Sequence, residues 1–427
     1  MEKLIVSLER DGILCPVGSI RGENPSDACF AYAEEYRNSP DAAPISLSLP
    51  LQEEAFTQTQ TKNFFEGLLP EGFTRRTVAQ WMHVAEEDYL SILHGLGREC
   101  LGALCITAEG EESEASYEPI TPQQVQELAA EGATKSAELV TKAHLSLTGA
   151  SGKAGLYYDA EHRDWYLPRG SAPSTHIVKQ SHVRLDAIVA NEQLALQTAA
   201  RCGIETAKSF IINTGAGEDR EVLLATERYD RRFVSQGHRI NNLPCPQRLH
   251  QEDFAQALGI PAAEKYEKEG QHYLRDMFAL LRRASADPIA DQMKLWNILV
   301  FDWLIGNTDA HVKNFSLLYG PNQKSVRLAP AYDIVSTSVY EQSTREMAFR
   351  IGEASLLEEI DREAFRLAAR EAGLGERMAL RHFDSLCGGF EKALRASAEE
   401  LTAQGFAKAT ELAERILRTG GIRRMMR

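Results

Sequence analysis

The first ten residues, MEKLIVSLER, alternate apolar and polar side chains, the period of a strand with one buried face. The same alternation recurs in ISLSLPL at 45–51, whereas residues 61–69 space their apolar positions as a helix does. Short runs of this kind, from residue 1 to about residue 107, predict a small mixed domain. The stretch 108–120, with EGEESEASYEP at its centre, is acidic and poor in apolar residues, so it predicts an exposed linker with a boundary near residue 112. Beyond it, strand-like runs appear at THIVK (175–179) and VLLAT (222–226), with a helix expected over Leu185 to Ala200. From Glu252 onward the helical period dominates: Leu295, Ile298, Leu299 and Trp303 share a face, and the pattern returns through 363–418. Three parts follow, 1–112, 113–232 and 233–427, and no internal repeat is evident.

A chain of 427 residues exceeds what one hydrophobic core usually supports, which agrees with several domains and leaves room for a cleft. With 43% hydrophobic and 25% charged residues, it has the composition of an ordinary globular protein. The longest apolar run near its middle, Trp296 to Gly306, is broken by Asp302 and falls far short of the roughly 20 residues that cross a bilayer. No secretory signal pattern opens the chain, so a cytoplasmic location is expected. The seven cysteines are scattered and form no CxxC pair, which argues against a disulfide framework or zinc site. A net charge of −14 and short basic clusters disfavour direct binding to DNA, which is expected only through a partner.

The most informative stretch is LIGNTDAHVKNFSLLY, 304–319. Asp309 and Asn314 stand five positions apart, as do the base and the metal-binding amide in the kinase catalytic-loop pattern H-R-D-x-x-x-x-N. One short loop can then orient an acceptor hydroxyl with a carboxylate and hold a Mg²⁺ with a nearby amide oxygen. Downstream, LAPAYDIVS (328–336) supplies a second carboxylate, Asp333, though Ile and Val follow it where kinases carry Phe-Gly. Lys179 ends an apolar strand and Glu192 follows on the next expected helix, the order of the lysine and glutamate that serve nucleotide phosphates in kinases. GASGKAG, with Gly149, Ala150, Ser151, Gly152 and Lys153, can turn backbone amides toward phosphates, although it is not a Walker A loop. In ERYDRR, 227–232, Glu227 and Tyr229 mark a hinge against adenine, and Asp230 is expected to reach a ribose hydroxyl. Asp and Asn are also common turn residues, and a strand-end lysine is commonly solvated. It is the order of the five pieces along the chain that points to a nucleotide-dependent phosphotransferase.

At these residues the sequence resembles the HipA family of toxin-antitoxin serine/threonine kinases. The likeness runs through SLTGASGKAGL (146–156), PSTHIVK (173–179), ERYDRR, RLHQEDFAQALG (248–259), LIGNTDAHVKN and LAPAYDIVS. Upstream, ISLSLPL, FFEGLLPEG (64–72) and GRECLGAL (97–104) resemble the N-terminal subdomain of full-length members. One departure is Ser151-Gly152, where members commonly carry Gln followed by an acidic residue or proline. The resemblance implies an α+β, two-lobed protein-kinase-like fold, with a small mixed N-terminal subdomain and a large helical C-terminal lobe. It implies ATP as donor and Mg²⁺ as cofactor, Asp309 as catalytic base, and Asn314 with Asp333 as metal ligands. His311 and Lys313 join the nucleotide-binding residues, and Ser146, with Thr148 second, is the expected autophosphorylation site. The implied partners are a HipB-like helix-turn-helix antitoxin and, as protein substrate, an aminoacyl-tRNA synthetase. The competing readings are a small-molecule kinase of the aminoglycoside-phosphotransferase sort and a catalytically dead binding module. The N-terminal domain argues against the first, and intact Lys179, Asp309, Asn314 and Asp333 argue against the second.

Overall fold

The opening alternation produces the strand Leu4–Arg10 in a computed structural model, which describes residues 3–111, 114–131, 135, 152–181 and 185–425. That strand lies in an antiparallel four-stranded sheet, in the order Cys29–Tyr32, Ile13–Arg21, Leu4–Arg10, Leu104–Ala108. Register pairs Leu4 with Ile20 on one side and with Ala108 on the other. Val6 and Leu8 face a core that also takes Phe30, Phe64, Phe65 and Leu93. The helix expected near 61–69 forms as Gln58–Glu66, opened by a capping box between Thr57 and Gln60.

ISLSLPL is a turn rather than a strand. Ser46 donates to Glu252 Oε2 at 2.5 Å, Leu47 N donates to Oε1 at 3.0 Å, and Ser48 donates to Gln256 O at 2.6 Å. Of the polar positions of that alternation, Ser46 therefore binds a buried carboxylate and Ser48 a backbone carbonyl. The acidic stretch also departs from the expected linker. Ser116–Ile120 forms a strand paired with Asp164–Arg169, with Tyr117 buried and Glu118 ion-paired to Arg169. The strands Ser116–Ile120, Asp164–Arg169, Lys153–Asp159 and His176–Gln180 follow one another in that order in a second sheet.

Two compact units interleave along the chain. One comprises Met1–Gln180, Ala225–Ala262 and Leu318–Ser325, and the other Ser181–Leu224, Ala263–Leu317 and Val326–Arg427. The second is mainly helical, with Ile188–Arg201, Tyr273–Ala284, Pro288–Ile305, Arg362–Glu371, Glu376–Ala403 and Lys408–Thr419. Pro288–Ile305 is apolar nearly all round from Leu295 to Ile305 and forms the centre of that unit. Trp296 donates to Ala379 O at 2.9 Å, and Trp303 packs on Phe365 and Phe383 at 5.4 and 5.7 Å between ring centroids. The helical pattern after Glu252 is interrupted by the hairpin Glu346–Ile351 with Ala354–Leu356.

Candidate active site

The helix Pro288–Ile305 delivers the chain to the Asp309 loop. Asp287 caps its start by accepting from Ala290 N at 3.2 Å, and Pro288 occupies a position that needs no amide hydrogen. At its far end Gly306 takes a φ of 77°, and a Cβ there would stand 2.1 Å from Ser338 Oγ. Asn307 N bonds back to Asp302 O at 2.8 Å, so the chain leaves the helix axis at once.

Inside the loop, neighbouring residues fix the backbone. Thr337 Oγ1 accepts from Thr308 N at 2.7 Å and donates to Gly306 O at 3.1 Å. Asn307 Oδ1 accepts from Asp309 N at 3.2 Å, while Asp309 O accepts from Asn314 Nδ2 at 2.9 Å and from His311 N at 2.8 Å. The Asp309 backbone is thus held on both sides while its side chain stays exposed, and Tyr266 donates its hydroxyl to Asp309 Oδ1. Because the Asn314 nitrogen is committed to a carbonyl, its Oδ1 is the atom left to face a cation.

Asp333 has a φ of 55°, in the left-handed region that Asp tolerates better than most residues. Its neighbour Tyr332 fixes the approach, donating to Lys313 O at 3.0 Å and sharing a hydrogen bond of 2.7 Å with Ser316 Oγ. Asn314 and Asp333 line one hollow together with Asp302, Asn307 and Ser316. An amide oxygen and a carboxylate are hard donors, and Mg²⁺ commonly takes one or two protein oxygens and completes its shell with water and phosphates, so this pair fits the ion.

Three residues of the site escaped the sequence reading. Asp302 is buried and accepts from Asn307 Nδ2 at 2.9 Å, and burial pushes its carboxyl up to about 7. Its signal was present as the one charge inside the apolar run Trp296 to Gly306. Asn191, on Ile188–Arg201 beside the buried Glu192, donates to Ser336 O at 2.9 Å and accepts from Ser336 N at 3.0 Å, which ties that helix to the segment after Asp333. Tyr266 carries no pattern that would single it out.

Among the nucleotide-side expectations, Lys179 sits in the strand His176–Gln180 directly opposite Lys153. Gly152 is buried immediately before Lys153, while Ser146, Thr148, Gly149, Ala150 and Ser151 lie outside the described residues. His311 and Lys313 are both buried. Glu227 is exposed at a strand end, and the half-buried Tyr229 donates to Gln251 Oε1. Asp230 departs from its expected role at a ribose. It is 1% exposed, its Oδ1 accepts from Arg228 at 2.9 Å, and its Oδ2 accepts from Arg228, Gly102 N and Gln251 at 2.7, 2.7 and 3.0 Å. Those donors consume the carboxylate inside the protein.

A family model of the HipA N-terminal domain matches residues 14–107, and one of the HipA-like C-terminal domain matches residues 145–394. The chain belongs to the HipA family. It is 35% identical over 381 residues to a putative kinase, Y4mE, of Sinorhizobium fredii, covering 87% of this chain and 86% of that one. To the serine/threonine-protein kinase toxin HipA of Shewanella oneidensis it is 28% identical over 364 residues, 81% of this chain and 77% of the other. A solved complex of Shewanella oneidensis MR-1 HipA with HipB and operator DNA shares the fold, with a TM-score of 0.78 at 22% identity over 97% of each chain. This HipA-family protein is therefore a kinase with an α+β kinase-like fold. None of its described helices is long and apolar enough to cross a membrane.

Proposed function

We propose that this HipA-family kinase transfers the γ-phosphoryl group of ATP to a serine or threonine hydroxyl of a protein. The observation that carries the reading is the loop in which Asn314 Nδ2 bonds to Asp309 O at 2.9 Å while Asn314 lines one hollow with Asp333. Asp309 takes the acceptor proton as the hydroxyl oxygen bonds to phosphorus and the bond to ADP breaks. Asn314 and Asp333 would hold Mg²⁺, which when bound neutralises charge on the phosphates. Lys153 and Lys179 share one register position on neighbouring strands, and lysine ammonium groups are common binders of phosphate, so both are assigned to the phosphates of ATP. Gly152, immediately before Lys153, belongs with Gly149, Ala150 and Ser151 to the proposed phosphate-binding segment, since glycine-rich backbone can turn its amides toward phosphates. Glu227 and Tyr229 remain the adenine-side residues of the proposal.

Family membership extends the reading to partners. The solved HipA complex pairs its toxin with HipB and operator DNA. For this chain we infer a HipB-like helix-turn-helix antitoxin, with DNA reached through it, in keeping with a net charge of −14. A cytoplasmic aminoacyl-tRNA synthetase is the protein substrate, and Ser146, with Thr148 second, is the site of self-phosphorylation. The test is to incubate the full chain with Mg·ATP labelled at the γ position in a cell extract and to locate the label. Label on a serine or threonine of a synthetase and on Ser146 is expected. Label confined to small molecules, or no consumption of ATP, would overturn the reading.

A further inference from the structure

The proposed base does not stand alone at the surface. Tyr266 lies 43 positions before Asp309, on the stretch that leads into the helix Tyr273–Ala284, and its hydroxyl donates to Asp309 Oδ1. The ring is 44% exposed and meets His311 edge to face, with centroids 5.3 Å apart, while Lys265 Nζ stands 5.5 Å from its centroid. A hydroxyl bonded to the base has two possible uses. It can orient the carboxylate, or it can plug the place that the acceptor hydroxyl must take.

The backbone around Tyr266 separates these uses. The next residue, Glu267, donates its N–H to Ala348 O at 2.8 Å. Its carboxylate, 5% exposed, accepts from Tyr273 N at 2.8 Å, from Arg350 N at 3.0 Å and from Arg350 Nε at 2.9 Å. Arg350 also reaches Gln271 O at 2.8 Å, which closes the stretch from 267 to 271 against the hairpin that carries Arg350. A plug has to leave at each turnover, and a segment pinned by a buried carboxylate and an arginine is poorly built to leave. A fixed donor is what orientation of a base requires, since a catalytic group held by supporting hydrogen bonds reaches its productive geometry without reorganisation.

We propose that Tyr266 is a positioning residue for phosphoryl transfer: its hydroxyl sets the orientation in which the Asp309 carboxylate meets the acceptor hydroxyl. The proposal rests on the assignment of Asp309 as the base. Tyr266 acts through Asp309, so its removal should slow the transfer step and leave nucleotide binding alone. Its half-exposed ring beside His311 also places an aromatic surface next to the base, where an acceptor side chain has to approach.

The experiment compares full-length wild type, Tyr266→Phe, Tyr266→Ala and Asp309→Ala, measuring ADP formed from Mg·ATP with dephosphorylated casein as acceptor. Tyr266→Phe keeps the ring and loses only the hydroxyl. It is expected to lower kcat about tenfold, the scale of one hydrogen bond to a charged group, with KM for ATP within about twofold of wild type. Tyr266→Ala should lose at least as much, and the melting temperature of Tyr266→Phe should match wild type. An unchanged kcat in Tyr266→Phe overturns the proposal, as does a raised kcat or a lowered KM for casein, which would make Tyr266 a plug. If Asp309→Ala is inactive while Tyr266→Phe equals wild type, only the positioning role falls. If Asp309→Ala turns over like wild type, the base assignment falls with it.

Discussion

A carboxyl group buried on the helix that leads into the Asp309 loop should make stability depend on pH. Burial raises Asp302 from its ordinary 3.8 to about 7, against the weaker opposing effect of the hydrogen bond from Asn307. Between about pH 4 and pH 7 the folded protein therefore keeps a proton that the unfolded chain has released. This contribution to stability is full below about pH 4 and is lost as the pH rises through about 7. Asp302→Asn retains an acceptor for Asn307 and removes the titration. Across that window the wild-type melting temperature is expected to fall relative to that of the variant, by an amount on the order of a few kcal/mol in stability. Comparison with the variant isolates Asp302 from Glu252, which burial also pushes to about 7. Parallel melting curves against pH would contradict the account.

At the scale of elements, the end of Pro288–Ile305 decides where the catalytic loop begins. Gly306 adopts a φ that L-residues resist, and an added Cβ would meet Ser338 Oγ at 2.1 Å and Gly420 Cα at 3.0 Å. Gly306→Ala should destabilise the protein by roughly 1–3 kcal/mol and lower phosphoryl transfer, because Thr308 and Asp309 are hung from this turn. Urea denaturation checks the first, and wild-type stability would show that the turn tolerates a side chain. The helix itself was readable because its apolar positions recur at the helical period. The 45–51 turn was not, because its serines alternate with apolar residues as a strand's solvent face would, and the sequence cannot show that their hydroxyls meet Glu252 and Gln256. The strand Ser116–Ile120 was hidden by acidic flanks, and its partner Asp164–Arg169 lies more than 40 residues downstream.

Within one unit, a buried ion cluster joins the N-terminal residues to later parts of the chain. Glu99 accepts from Arg228 at 3.1 Å, from Arg231 at 2.8 Å and from Arg248 at 2.7 Å, and Arg248 reaches Glu9 at 2.5 Å. Three arginines and the carboxylates of Glu9, Glu99 and Asp230 balance in charge, and the cluster draws on segments that match both HipA family models. Arg248→Met would strand Glu9 and Glu99 without their shared cation, at a cost of roughly 3–5 kcal/mol. Denaturation in guanidinium measures it, and a midpoint equal to wild type would show that the cluster contributes nothing. This cluster also explains the misreading of Asp230. A charged run at a strand end looks like a solvated or ligand-facing feature until its partners, as distant as Gly102 and Gln251, are known. By contrast, the proximity of Asp309 and Asn314 was legible because one short loop holds both, while the hold of Thr337 on that loop from a later segment was not.

The most direct test of the central claim measures nucleotide affinity and phosphoryl transfer on the same Asp309→Ala protein. An exposed loop carboxylate supplies chemistry rather than packing, so the account predicts a wild-type melting temperature and ATP affinity, with transfer reduced about 10²- to 10⁴-fold. Transfer at the wild-type rate would contradict it, as would a loss of transfer fully explained by lost folding or lost ATP binding.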